Sequence, residues 1–230
     1  MRPNSRWAIM LFGLSSATLP SSATAELVLS QVIVDIQADE PAREDIELYN
    51  SGDERIYVAA DPFLIENPGS ESQTRIPATN PQDSGILVTP QKLVLEPGER
   101  RLVRVAAIAA RPSEDRVYRI SIRPVIGEVA ADADALKVLI GYDALVLVRP
   151  SVVTGDLEAE KTGQTLTFFN ASNTSHELFE GRQCDASGEN CVTLPGRRLY
   201  PGIRWDQQLP YSTTVTYKDA VGERVSGLAI

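Results

Sequence analysis

Residues 136–150, LKVLIGYDALVLVRP, set the tightest limit on what this chain can fold into. In an extended chain successive side chains point to opposite sides, so Leu136, Val138, Ile140, Tyr142, Ala144, Val146 and Val148 share one face. The other face is mixed at its start, with Lys137, Leu139, Gly141 and Asp143, and turns apolar at Leu145 and Leu147. Fully extended, the run covers roughly 50 Å, well beyond a strand of five or six residues. Its second half, apolar on both sides, suits a domain core. Its first half reads as an edge with one apolar face, open to pairing with another chain.

The chain begins with an export address. Arg2 and Arg6 make a basic start, residues 7–14 a short apolar run, and Ala23, Thr24 and Ala25 the small residues of a cleavage site before Glu26. That run is too short to cross a bilayer, which takes about 20 residues. Residues 1–25 are therefore expected to be a cleaved signal peptide, leaving a mature chain from Glu26. A net charge of -9 argues against nucleic acid and anionic membrane surfaces, which would repel it, and points to protein partners.

Short strands follow in quick succession. Leu27 to Leu29 and Val32 to Val34 open the first, Asp45 to Tyr49 form the second, and Asn50 to Asp53 turn into Arg55 to Ala60. The polar stretch from Asn67 to Ser84 reads as an exposed loop or irregular edge. Strands are expected at Ile86 to Val88, Lys92 to Leu95 and Arg100 to Ala109, the last entered through Glu96-Pro97-Gly98-Glu99, a type II turn with Gly98 at the position needing a positive φ. On the next strand Val117, Arg119, Ser121 and Arg123 share one face, with Tyr118, Ile120 and Ile122 on the other. No helix of ordinary length is visible. Beyond Pro150, residues 151–163 read as a linker and first strand. Weaker strands follow around 166–169, 177–182, 192–194, 204–209 and 213–217, with Trp205 as the core anchor.

Cys184 and Cys191 stand six residues apart in a turn-rich stretch, a spacing that suits a disulfide closing a hairpin in an exported chain. A metal site is the poorer reading, since His176 would supply only a third ligand. No nucleophile elbow accompanies His176, no glycine loop cradles phosphate, and neither an enzyme, a cofactor nor a metal is expected.

In order and spacing these phrases resemble the periplasmic pilus-assembly chaperones, the PapD-like family. The resemblance rests on the apolar first strand, Thr89-Pro90 with Leu93 and Leu95, Glu96-Pro97-Gly98 before a strand containing Arg104, Asp115-Arg116 before the Tyr118 strand, and the alternating run ending in Arg149-Pro150. It covers residues 26–151 well and fades beyond, where residues 166–170 and Leu199-Tyr200-Pro201-Gly202 are similar to late phrases of a second sandwich. It implies an all-β chain of two immunoglobulin-like sandwiches set at an angle, boomerang-like: an N-terminal unit at 26–150 and a smaller one at 151–230.

The function implied is periplasmic: a chaperone holds pilus or fimbrial subunits through a donated edge strand, then hands them to an outer-membrane usher. The donated row would be Leu136, Val138, Ile140 and Tyr142. Family members hold the terminal carboxylate of the subunit with two basic residues, yet those positions carry Gln31 and Leu145 here. Arg119, Arg123 and Lys137 are the candidate replacements. Arg149 and Asp219 match residues that brace the hinge between the sandwiches, and they are expected to pair; Val117 stands where an acidic partner is usual. A self-capping dimer of the free form stays open. The competing reading is a structural or adhesive cell-envelope module, or a divergent relative that anchors no carboxylate.

Overall fold

A computed structural model describes residues 27–125 and 139–230. The expected signal peptide and the ribbon residues Leu136, Lys137 and Val138 lie outside these residues. What is described is almost entirely strand, packed as two pairs of sheets.

The first pair is built from ten strands: β1 (Leu27–Leu29), β2 (Ile33–Ile36), β3 (Arg43–Asn50), β4 (Ile56–Glu66), β5 (Thr74–Pro77), β6 (Ile86–Thr89), β7 (Lys92–Leu95), β8 (Arg100–Ala107), β9 (Arg116–Val125) and β10 (Tyr142–Val148). One sheet runs β1-β3-β8-β6, the other β2-β10-β9-β4-β5, with β7 also on β4. Alternation places Val34, Ile46, Leu48, Val103, Val105, Ile120, Ala144 and Val146 between them in one apolar core.

Leu27 to Val34 is not one strand. β1 pairs antiparallel with β3, whereas β2 pairs parallel with β10 in the opposite sheet. The break falls at Ser30 and Gln31, whose polar groups bond to β3: the Ser30 N–H to the Glu47 carbonyl, and Gln31 Nε2 to Glu44 and the Asp45 carbonyl. The Asn67 to Ser84 stretch is also more ordered than a loop. It holds β5, paired with the end of the eleven-residue β4, and a single helical turn, α1 (Pro81–Ser84). Asn80 caps α1 by accepting from the Gln82 N–H, and Gly85 ends it in the left-handed region. The Glu96 turn forms as expected, with Gly98 at φ 74° and the Glu99 N–H on the Glu96 carbonyl.

The second pair comprises β11 (Leu157–Thr162), β12 (Thr165–Asn170), β13 (His176–Cys184), β14 (Cys191–Leu194), β15 (Arg197–Leu199), β16 (Arg204–Gln208), β17 (Val215–Val221) and β18 (Arg224–Ala229). The sheets run β11-β12-β16 and β14-β13-β17-β18, with β15 on β13. Alternation alone misses β15 and β18, which are short of large apolar residues. Phe168, fully buried, forms the centre of this smaller core: Trp205 stacks on it at 5.6 Å and Tyr217 meets it edge-on at 5.3 Å. Trp205 itself is only partly buried, so it flanks the core rather than anchoring it alone. Burial pushes the Tyr217 phenol up to about 12. A side chain at Gly181 would collide with the Tyr217 ring, its Cβ falling 2.4 Å from it, so β13 passes the ring only as glycine.

Cys184 and Cys191 face each other across β13 and β14 and are joined by a disulfide. Closing so short a loop gives about 2–3 kcal/mol on chain-entropy grounds. Replacing both by serine is therefore expected to lower the denaturation midpoint of the second sandwich in urea, and an unchanged midpoint would remove the bridge from its stability.

Candidate functional site

One face of the β2-β10-β9-β4-β5 sheet points away from its own core, and it divides into three zones. At one end Ile65, Val117, Leu145 and Leu147 are buried under Tyr200, with Ile203 beside them, forming an apolar seam between the two sandwiches. The middle is charged. Arg75 lies over the Phe63 ring at 4.1 Å and reaches Asp143 at 2.8 Å, and Arg123 bonds Asp61 at 2.9 Å. Arg119 Nη1 donates to the Asp143 carbonyl at 3.1 Å, while its Nε stands 3.9 Å from the Asp143 carboxylate. At the far end Tyr57, Val94 and Val125 are exposed. The middle zone thus presents three guanidiniums against two carboxylates in a chain whose net charge is -9. Arg75 escapes a sequence reading because β5 carries no apolar alternation.

The β10 strand is shorter than the alternation predicts. Its ladder begins at Tyr142, and residues 139–141 are not in a strand. Gly141 lies against β9, where a Cβ would come within 3.0 Å of the Arg123 Cβ. From Leu145 to Val148 the strand is paired on both sides, by β9 and by β2. At 142–144 only β9 pairs with it among the described residues, so the other edge is open there. Ile140 is half exposed. Tyr142 ends the apolar row differently: its ring packs against this chain's own core and its hydroxyl donates to the Leu27 carbonyl at 2.8 Å.

Neither expected anchor position can bind an anion by charge. Gln31 is committed to β3, and Leu145 is sealed in the seam. Of the candidate replacements, Lys137 lies outside the described residues and Arg123 is matched by Asp61. Arg119 spends its closest bond on a backbone carbonyl and stands beside the Tyr200 phenol. Burial raises that phenol above its ordinary value, and the guanidinium opposes the rise.

The hinge corrects one expectation outright: Arg149 does not pair with Asp219. Its guanidinium, 3% exposed, forks onto Asp35 with two bonds of 2.7 Å. Nη1 faces Asp115 at 3.0 Å, Thr174 Oγ1 at 2.8 Å, and the Ser175 carbonyl and hydroxyl at 3.0 Å each. Burial would lower the Arg149 pKa, but the two carboxylates outweigh it and hold it above its ordinary value. Asp115, two residues before Val117, is the acidic partner that the Tyr118 strand lacks at the usual place. Its other bonds come from the Thr174 hydroxyl and the Ser175 N–H.

Asp219 turns instead to His176, with Nδ1 at 2.9 Å and 3.0 Å from the two carboxylate oxygens. Nε2 of the same ring meets Ser172 Oγ at 3.1 Å, so serine, histidine and aspartate stand in a row. Ser172 is nevertheless buried, and its hydroxyl faces two fixed acceptors, Asn170 Oδ1 at 2.7 Å and the Thr174 carbonyl at 2.8 Å. Asn170 cannot turn to relieve this, because its Nδ2 donates to the Thr174 and Leu199 carbonyls. The row braces the turn at 170–176 that carries Thr174 and Ser175 to Arg149. Asp219 thus reaches the hinge at one remove.

The fold and this hinge define a class: two β-sandwiches joined at a buried arginine, the fold of the PapD-like fimbrial chaperones. The crystal structure of the class 5 fimbriae chaperone CfaA superposes with a TM-score of 0.66 at 23% identity, over 89% of this chain and 97% of that one. A chain of the SafA pilin–SafB chaperone complex from Salmonella enterica gives 0.64 at 16% identity, over 91% and 99%. In sequence the chain is 25% identical over 204 residues to a CS1 fimbrial protein of Escherichia coli, covering 84% of each. It is 28% identical over 151 residues to the probable fimbrial chaperone EcpE of Escherichia coli, covering 61% of this chain and 59% of that one. No family model matches.

Proposed function

We propose that the protein is a periplasmic chaperone of pilus or fimbrial subunits, exported behind residues 1–25, that lends the ribbon leading into β10 to a subunit lacking a strand. In this reading residues 26–150 form the unit that carries the ribbon, 151–230 the smaller unit that closes the cleft, and the loaded subunit passes to an outer-membrane usher. The observation that carries the reading is the half-covered β10: β2 pairs it only from Leu145 onward, leaving the edge at 142–144 open on the side from which a guest strand would continue the sheet. Leu136, Val138 and Ile140 supply the guest's apolar contacts, and Tyr142 pins the ribbon to the chaperone's own core. Co-expression with secreted fimbrial β-proteins tests this: the subunit is expected to stay soluble as a one-to-one complex that exchanges with free subunit. A complex that never exchanges would favour a permanent structural module.

Within this proposal Arg119 holds the terminal carboxylate of the subunit, with the Tyr200 hydroxyl beside it, in place of the missing basic pair. A charge-assisted bond at this seam is worth on the order of a tenfold change in affinity. Arg119→Gln is expected to weaken capture of the subunit by about that factor. Amidating the last residue of the subunit should cost the same, and the two losses should not add, because they break one interaction. Additive losses would place the carboxylate elsewhere.

A further inference from the structure

We propose that β18 is a self-association edge, through which two copies of this chain join the second sandwiches into one continuous sheet. The inference is independent of strand lending. Among the described residues β18 pairs with β17 alone and closes the sheet on that side. The hairpin between them fixes which backbone groups are free. Val215 and Ile230 exchange N–H and C=O bonds of 2.9 Å each, so the inward-bonding positions are the even ones, Arg224, Ser226 and Leu228. The N–H and C=O groups of Val225, Gly227 and Ala229 therefore point outward from the sheet edge.

Edges of this kind are normally blunted by charge, proline or covering. β5 ends in Pro77 and its Arg75 is tied to Asp143; β11 carries Glu158, Glu160 and Lys161. On β18 the three outward-bonding residues are valine, glycine and alanine, and Val225 is 56% exposed. The edge is also complementary to itself. In an antiparallel pair centred on Gly227, Val225 faces Ala229 of the second copy and Gly227 faces its own counterpart. These are three hydrogen-bonded pairs, and no two like charges stand opposite one another, since Arg224 lies across from Ile230. A second copy of this chain fits the edge better than a charged partner strand, which would meet no charge of its own there.

Sedimentation velocity on the full mature chain is expected to show a monomer–dimer equilibrium that shifts with concentration. Gly227→Lys sets two ammonium groups face to face on the axis, and a Cβ at this site meets nothing within 4 Å in the monomer. That variant should lose the dimer completely while its circular dichroism and melting temperature stay unchanged. Gly227→Cys provides the second test: opposed Cα atoms in such a pair lie about 5.5 Å apart, within disulfide reach, so it should cross-link on mild oxidation, whereas Ser226→Cys should not. The proposal is overturned by a chain that stays monomeric at every concentration, by a dimer that survives Gly227→Lys, by equal cross-linking at both positions, or by a dimer that Ile140→Asp abolishes and Gly227→Lys does not.

Discussion

Arg149→Ala is expected to cost about 3–5 kcal/mol of unfolding free energy, the largest effect of any single change considered for stability. The reason is an asymmetry. Arg149 is buried between Asp35 and an Asp115 side chain with no exposure, and removing the cation leaves both carboxylates and the Thr174 and Ser175 acceptors without their common donor. The intact cluster need not be worth that much, because burying three charges is itself costly. Asp35 and Asp115 come from the first sandwich and Thr174 and Ser175 from the second, so the same change should also uncouple the two. Urea unfolding followed by Trp205 fluorescence and by far-ultraviolet circular dichroism checks both points. The two probes should coincide in the parent chain and separate in the variant. Coincident curves with a midpoint displaced by under about 1 kcal/mol would reduce Arg149 to the worth of an exposed pair.

Ile140→Asp should leave the free protein as stable as its parent, since the side chain is half exposed and outside the β10 ladder. Affinity for the subunit should fall about 10- to 100-fold. Burying an isoleucine contributes about 1.5–3 kcal/mol, each 1.4 kcal/mol is a factor of ten, and an aspartate in an apolar groove adds a desolvation cost. Tyr142→Phe gives the contrast. It removes the bond to the Leu27 carbonyl, worth about 1 kcal/mol to this chain's own fold, and should leave affinity for the subunit nearly unchanged. Surface-immobilised fimbrial protein, titrated with each variant alongside thermal unfolding, separates the two effects. Undiminished binding by Ile140→Asp would remove the row at 136–140 from the interface.

Where alternation was strong, structure was legible. Val146 and Leu147 face opposite ways in the β10 ladder, one into the first core and the other into the seam under Tyr200, because a strand apolar on both faces needs two partners. The Gly98 turn and the Cys184–Cys191 hairpin were legible for a related reason: each is a contact between residues a few positions apart. What stayed hidden was carried by polar side chains whose partners are distant in sequence. Nothing local marks Asp115 as the mate of Arg149, 34 residues on, or Asp219 as the mate of His176, 43 residues on. Arg75 was hidden because β5 is recruited by the length of β4 and has no pattern of its own.

By itself the sequence determined an all-β chain, the positions of most strands and the turns between them, since side-chain periodicity and backbone chemistry act over a few residues. Only the tertiary structure decided that Leu27 to Ile36 divides between two sheets, that β10 is covered on one half and open on the other, and that Arg149 is held by Asp35 and Asp115 instead of Asp219. Those choices depend on which burial satisfies every charge and backbone group at once, a condition on the packed whole that no local pattern encodes.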